Sequence, residues 1–214
     1  MSFWTFLAKN RSEILRSLGR HLELVGISVL IGILISIPLG IFLTRHKKLA
    51  GPALALAGMI QTIPGLVMLG FALLLFGIGM FPALVVLSLY AILPILRNTY
   101  TGIVQVDAAY IEAAKGIGMT PMQILFKVEL PLSLPAIVSG IRISTVYILS
   151  WATLAGLIGA GGLGDLIWTG LSTYNIQYIL AGAVPSAILA FVASSLIGMA
   201  QRALTPKGLR GRSA

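Results

Sequence analysis

The chain of 214 residues contains no cysteine, few charged residues and no nucleotide-binding motif. Without cysteine, a disulfide framework, a thiol nucleophile and a cysteine metal site are excluded. The two histidines, His21 and His46, flank an apolar run without a nucleophile or metal ligand at useful spacing, so we expect an interfacial position for both. The P-loop pattern G-x-x-x-x-G-K-[ST] is missing, which excludes ATP binding by that motif. We therefore expect no catalytic residue, no cofactor and no metal.

Acidic residues are scarce as well, because the chain has only 6 of them and none lies in the middle of an apolar run. A proton- or sodium-coupled carrier usually places an ionisable group near the membrane midplane, so this absence counts against a secondary transporter. The net charge of +9 lies in short basic clusters beside apolar runs. Such clusters set membrane topology and contact anionic lipid, so no nucleic-acid partner is expected.

Apolar residues dominate what remains, at 57% of the chain with a mean hydropathy of +0.99. These values indicate an integral membrane protein. Runs near the roughly 20 residues that cross a bilayer are Leu24 to Leu43, Ala53 to Phe76, Leu134 to Ile158 and Tyr178 to Met199. A shorter run, Phe81 to Leu96, ends in "RNTY". We predict an all-α protein with about five transmembrane helices.

The distribution of Lys and Arg predicts the orientation. With the N-terminus outside and the C-terminus inside, eleven of the fifteen basic residues face the cytoplasm. Four near the N-terminus oppose this assignment, but the two other outer loops contain no Lys or Arg. The first 20 residues alternate apolar and basic positions, which is typical of an interfacial helix.

Two of the runs carry a small residue at every fourth position. These residues are Ser28, Gly32, Ser36 and Gly40 in the first run, and Ser186, Ala190, Ser194 and Gly198 in the last. A four-residue spacing keeps them on one helix face, where small side chains let two backbones approach closely. We expect both faces to be buried against protein, although small residues are also common in membrane helices generally.

A mixed stretch from Tyr110 to Pro135 interrupts the apolar pattern. Asp107 is placed to cap a short helix that runs through Lys115 and ends at a glycine turn containing Gly118. We expect Gly118 to need a positive φ.

A second helix begins directly afterwards. Thr120, Pro121 and Gln123 form the pattern of a capping box with proline at the first helical position. Pro131 and Pro135 are expected to end this helix before the next span.

The two short helices present an apolar surface with a charged rim. It consists of Ala113, Ala114, Ile117 and Met119 beside Glu112 and Lys115. Such a patch favours docking of another protein. The alternative is an amphipathic connector lying on the bilayer.

These residues resemble a known family. Glu112-Ala113-Ala114, then Gly118, then the "VELP" ending at Pro131 are similar to the EAA loop of type I ABC importer permeases, with Val128 in place of the usual Ile. We call Tyr110 to Pro135 the EAA loop. Further segments, such as "HLELVGISVLIGILISIPLGI" and "LIGAGGLGDLIWTGL", resemble the branch that takes up glycine betaine, carnitine, choline or proline betaine. Methionine-type permeases are similar too.

The resemblance implies a machine of several chains. Two permease subunits form the pathway, two cytoplasmic ATPases each receive one EAA loop, and an extracytoplasmic protein delivers solute. The docking residues it implies are Glu112, Ala113, Ala114, Gly118, Met119, Thr120, Pro121, Leu130 and Pro131. It also implies a permease domain over residues 21–200, between the interfacial segment 1–20 and a basic cytoplasmic tail at 201–214. The location is then a bacterial or archaeal cytoplasmic membrane.

Two groups of residues are candidates for the pathway. "QTIPG" places Gln61, Thr62 and Pro64 within a span, where they should face protein or water, and Pro64 should kink the helix. Ser144, Tyr147 and Trp151 share one helix face, and their aromatic rings would suit a quaternary ammonium. A structural kink and ordinary packing are the alternatives. A self-sufficient channel or carrier is the contrasting function.

Overall fold

The computed structural model describes residues 3–205, and every regular element in that range is helical, as predicted. The helices are α1 Phe3–Lys9, α2 Arg11–Arg45, α3 Lys47–Thr62, α4 Gly65–Phe76, α5 Met80–Val104, α6 Ala108–Gly116, α7 Pro121–Ile124, α8 Leu130–Leu154, α9 Leu163–Ser172 and α10 Ile176–Leu204. A π turn, Leu125–Glu129, joins α7 to α8, and a 3₁₀ turn, Ala155–Ile158, follows α8.

Four of the described helical runs are long and apolar enough to cross a membrane. They are α2, α5, α10 and the continuous run Pro121–Ile158. The pair α3 and α4 qualifies together but is bent by 89° at the break between Thr62 and Gly65. The prediction of about five spans is therefore confirmed by length and composition if the bent pair counts as one.

The helix α5 differs from the short span predicted at Phe81 to Leu96. It continues through the polar stretch to Val104. Asn98 Nδ2 donates to the Pro94 carbonyl at 2.8 Å, and Thr99 Oγ1 donates to the Ile95 carbonyl at 2.8 Å. Because these polar side chains bond one turn back on their own helix, they do not end it.

The predicted stop at Pro131 and Pro135 is wrong, because the chain stays helical through both prolines. The π turn lies just before Pro131, and the Leu130 N–H bonds to the Leu125 carbonyl, five residues back. A proline clashes with the carbonyl four residues earlier in an α-helix. The wider turn removes that alignment, so the helix continues into the span.

The helix α2 also begins earlier than the first apolar run, at Arg11, and passes into the span without a break. His21 on this helix is fully buried within the chain. Its ring lies under the chain segment Ala155 to Gly162, which we call the glycine loop. A Cβ at Gly162 would come within 3.1 Å of His21 Nδ1.

The core lies where α2, α5 and α8 pack side by side, with α10 on the far side of α8. The small residues of α2 form this packing, as predicted. A Cβ at Gly32 would lie 2.8 Å from Ala91 Cβ, and Ser36 Oγ donates to the Ile92 carbonyl at 3.0 Å. The matching residues of α10 are only half-buried. That face of α10 is therefore partly uncovered in the single chain.

Candidate functional site

The first helix of the EAA loop, α6, ends in the predicted elbow. The Ala109 N–H donates to Asp107 Oδ1 at 3.0 Å, which caps the start of the helix. Gly118 has a φ of +80°, and its N–H bonds to the Lys115 carbonyl. The predicted cap and the predicted positive φ are both confirmed.

The second helix starts with the predicted capping box. The Gln123 N–H donates to Thr120 Oγ1 at 3.4 Å, and the Thr120 N–H donates to Gln123 Oε1 at 2.9 Å. Pro121 occupies the first helical position. An N–H at this position has no partner within the helix, so its absence in proline costs no hydrogen bond. Local hydrogen bonds alone therefore define both helices of the loop.

The exposed surface of the loop is apolar and larger than the sequence predicted. Ile117 is 76% exposed, Met122 64% and Phe126 58%. Glu112 and Ala113 are also exposed. Large apolar side chains at a tight elbow form the kind of patch that marks a protein interface.

The base of the loop contacts the rest of the bundle. Ala114 is buried, which corrects its predicted place in the exposed patch. Met119, Leu130 and Pro131 are half-buried. Of the residues predicted to dock a partner, these four are therefore less exposed than the others.

An ion pair that the sequence analysis missed ties the loop to the first span. Both guanidinium Nη atoms of Arg45, at the end of α2, donate to the carboxylate of Glu129, in the π turn. The Glu129 side chain is 5% exposed, whereas that of Arg45 is 45% exposed. The only sequence signal is the Glu129 carboxylate in the otherwise apolar "VELP". The neighbouring residues do not indicate that Arg45 is its partner.

At the break between α3 and α4, polar groups bond to the neighbouring helix and to their own. Gln61 Nε2 donates to the Tyr90 carbonyl at 3.1 Å, and the Tyr90 hydroxyl donates to the Ile63 carbonyl. Thr62 Oγ1 bonds back to the Met59 carbonyl at 2.7 Å. Pro64 lies within the break as the N-cap of α4, so the predicted kink is present as a complete interruption.

The α8 residues predicted to share a pathway face separate into two environments. Ser144 is fully buried and donates to the Ala91 carbonyl at 3.0 Å, so it fastens α8 to α5. Tyr147 is 52% exposed. Trp151 lies directly over Gly65 and against the Tyr90 ring, with centroids 5.3 Å apart. The structure thus brings Trp151 to the α3 and α4 break and leaves Ser144 away from it.

Tyr90 connects these groups, and the sequence analysis did not single it out. It lies within an apolar run, where one tyrosine looks like an ordinary core residue. Within residues 3–205 no group of three His, Asp or Glu side chains could hold a metal ion. The sites worth testing are therefore the EAA loop and the break.

Comparison with known proteins connects these features to a family. The family described as "Binding-protein-dependent transport system inner membrane component" matches residues 32–209. The chain is 48% identical over 207 residues to the glycine betaine/carnitine/choline transport system permease protein OpuCB of Bacillus subtilis (strain 168), covering 97% of this chain and 95% of that protein. It is 49% identical over 205 residues to the choline transport system permease protein OpuBB of the same organism, covering 96% and 94%.

Solved structures show the same architecture. The inward-facing MetNI methionine ABC transporter has a chain that is similar with a TM-score of 0.81 and 27% identity, covering 90% of this chain and 96% of that one. The fold class of the type I ABC importer permeases is thereby confirmed. Together with the match over residues 32–209, these likenesses show that the chain belongs to the family of binding-protein-dependent transport system inner membrane components, the permease subunits of ABC importers.

Proposed function

We propose that the chain is the permease subunit of an ATP-driven importer for osmoprotectants such as glycine betaine, carnitine, choline or proline betaine. The observation that carries the mechanism is the exposed glycine elbow with the EAA spacing, in a chain without a P-loop. The names of the relatives that are nearly half identical over almost the whole chain support the solute class.

In this proposal ATP is hydrolysed by separate subunits. Two cytoplasmic ATPases each receive one EAA loop, whose exposed contact residues are Glu112, Ala113, Gly118, Thr120 and Pro121. Ala114, Met119, Leu130 and Pro131 support the loop from below. A second permease subunit, identical or paralogous, completes the pathway, and an extracytoplasmic binding protein delivers solute. The loop can shift the equilibrium between the inward and outward states of the gate. The size of that shift is limited by the difference in free energy of ATP binding to the two states.

The proposed orientation places the N-terminus outside and the C-terminus in the cytoplasm of a bacterial or archaeal cell. Residues 1–20 lie at the membrane interface, 21–200 form the permease domain, and 201–214 are a basic cytoplasmic tail, most of which lies outside the described residues. The support for this orientation is the distribution of Lys and Arg.

For the gate we propose the break between α3 and α4 and the ring that covers it. Thr62 and Pro64 are exposed in the single chain, Gln61 is half-exposed, and Trp151 closes over Gly65. The exposed ring of Tyr147 lies one turn before Trp151 on the same helix. Aromatic faces at such a place suit a quaternary ammonium, which has no hydrogen-bond donor.

A permease for methionine or another amino acid is the second candidate, because the similar chain of solved structure belongs to the MetNI methionine ABC transporter. At 27% identity it is the more distant relative, so the osmoprotectant function is favoured. The self-sufficient channel or carrier has no support from the family.

Reconstitution tests the proposed function. We expect vesicles containing the chain with its ATPase and binding protein to accumulate labelled glycine betaine or another osmoprotectant in the presence of ATP, and vesicles containing the chain alone to accumulate none. Uphill uptake by the chain alone would contradict the proposal. ATP-driven uptake of methionine with no osmoprotectant uptake would establish the second candidate.

Cysteine labelling tests the proposed gate, since the native chain has no cysteine to interfere. We expect Thr62→Cys to react with a small charged thiol reagent at a rate that changes with the nucleotide bound to the ATPases. Leu74→Cys is the matched control, because Leu74 is 82% exposed on α4 but lies in the apolar part of that helix and should face lipid. If Thr62→Cys reacts no faster than this control in every nucleotide state, the break is not a water-accessible gate.

A further inference from the structure

A groove of about 830 Å³ with mixed polar and apolar walls lies between α5, α8 and α10, next to the start of the EAA loop. Its walls carry two arginines, Arg142 of α8 and Arg202 of α10. Asp107 and Tyr110, at the start of α6, line one end. None of these features belongs to the docking patch or to the proposed gate, so the groove has no assigned role.

The position of Arg142 is fixed by neighbours on α10. Its Nε donates to Ser194 Oγ at 2.9 Å. A Cβ at Gly198 would lie 3.3 Å from Nη1, so the absence of a side chain there makes room for the guanidinium. The half-buried small residues of α10 therefore position the Arg142 guanidinium. They also set the distance between α8 and α10.

Neither arginine has an acidic partner in the part of the chain that the structure describes. The ion pairs found between residues 3 and 205 are Arg20 with Glu23 and Arg45 with Glu129. The one carboxylate lining the groove, Asp107, accepts the N–H of Ala109 and lies beyond 4.0 Å from both guanidinium groups. Asp107 supplies one negative charge against the two arginines, so the described lining of the groove keeps a net positive charge.

We propose that the groove binds the phosphate of an anionic phospholipid from the cytoplasmic leaflet. This inference rests on the proposed function, which places the EAA loop on the cytoplasmic side. A basic pocket between transmembrane helices on that side is suited to an anionic headgroup, and guanidinium groups bind phosphate oxygens in a bidentate manner. The Ser194 and Ser195 hydroxyls supply further polar contacts.

The chemistry of the walls favours a lipid headgroup over another helix. A partner helix within a bilayer packs on small, uncharged surfaces, whereas this groove adds two arginines to small residues such as Ser194 and Gly198. Arg202 lies in the last turn of α10, where an arginine extends its charge to the interface. A lipid in this groove contacts Tyr110 and thus touches the first helix of the EAA loop.

The test measures lipid retained by the assembled importer. The purified complex is stripped of lipid with detergent, incubated with equal amounts of phosphatidylglycerol and phosphatidylcholine, and analysed for bound lipid by mass spectrometry. We expect the native complex to retain phosphatidylglycerol preferentially. Arg142→Gln and Arg202→Gln should each lower that preference roughly fivefold, which corresponds to about 1 kcal/mol per basic side chain.

Lys48→Gln is the matched control, because Lys48 is an exposed cation at the same end of the bundle but outside the groove. It should leave the preference unchanged. Equal retention by the native and both Arg variants would overturn the proposal, as would an equal loss in Lys48→Gln. Since no uptake is measured, a failure of the proposed transport function would be seen separately, in the vesicle assay.

Discussion

Two glycine-containing turns at opposite ends of α8 use the same residue type for different reasons. At the EAA elbow Gly118 has a φ of +80°, and no atom lies within 4 Å of the position where a Cβ would be. In and beside the glycine loop, a Cβ at Gly164 would lie 2.1 Å from the Thr153 carbonyl oxygen, and one at Gly156 would lie 2.7 Å from the backbone of Gly164. The elbow needs glycine for its backbone angle alone. The other turn needs it for close packing at Gly156 and Gly164, and also for a positive φ at Gly159, Gly161 and Gly162.

This difference separates a docking surface from a structural one. Open space around Gly118 leaves the elbow accessible to a partner. The glycine loop is closed by contacts with α9 and covers His21, so its glycines join helices within the chain. Substitutions should therefore reduce function at the first turn and stability at the second.

The largest effect on stability is expected for Gly164→Ala. A methyl group cannot fit beside the Thr153 carbonyl without moving α9, and overpacking of this kind costs about 1–3 kcal/mol or more. We expect a low yield of folded protein and a lower melting temperature in detergent. Gly116→Ala is the control, because Gly116 has open space and no positive φ. Equal melting temperatures for the two variants would contradict the packing role.

Arg45→Ala tests the ion pair that joins the loop to α2. It leaves the Glu129 carboxylate buried without its partner, and losing hydrogen bonds to a charged group costs about 1.5–3 kcal/mol. We expect a lower melting temperature. The double variant Arg45→Ala with Glu129→Ala should be less destabilised than the sum of the two single variants, and strictly additive melting shifts would show that the pair is not coupled.

Gly118→Val should act on transport more than on stability. A β-branched residue resists a positive φ, at a local cost of roughly 1–2 kcal/mol, so the two short helices are misaligned. We expect nearly normal folding with solute uptake lost in the reconstituted importer. Gly118→Asn should retain much of the uptake, because asparagine tolerates the left-handed region. Normal uptake by Gly118→Val at normal expression would remove the elbow from the mechanism.

Thr120→Ala should have the smallest effect. It removes one half of the capping box, which costs about 1 kcal/mol at a helix start. We expect reduced stimulation of ATP hydrolysis by solute-loaded binding protein and little change in melting temperature. Thr120→Ser keeps the hydroxyl and should behave as the native chain, so a similar loss in both variants would point to the methyl group instead of the cap.

The sequence predicted best those features that depend on neighbouring residues. The cap at Asp107, the box at Thr120 and the positive φ of Gly118 all follow from local hydrogen bonds and sterics. The packing of the small residues on α2 also followed from their spacing, because four residues make slightly more than one helical turn.

Features that join distant parts of the chain could not be predicted in this way. Glu129 bonds to Arg45, and Tyr90 links the break in the second span to Trp151, although nothing beside either residue indicates its partner. The burial of His21 depends on a loop far along the chain. The error at Pro131 has another cause, since the π turn before it lets the helix continue, and Pro135 shows that a proline can also lie inside an α-helix.

That π turn also sets the direction in which the EAA loop points. A π turn is one residue longer than the α-helical turn it replaces, and each residue of an α-helix rotates the chain by about 100°. Deleting a single residue between 125 and 129 would thus turn the exposed patch of the loop about a quarter of the way round the axis of α8. The angular register between the membrane helix and its partner-binding face depends on one residue at the base of the loop.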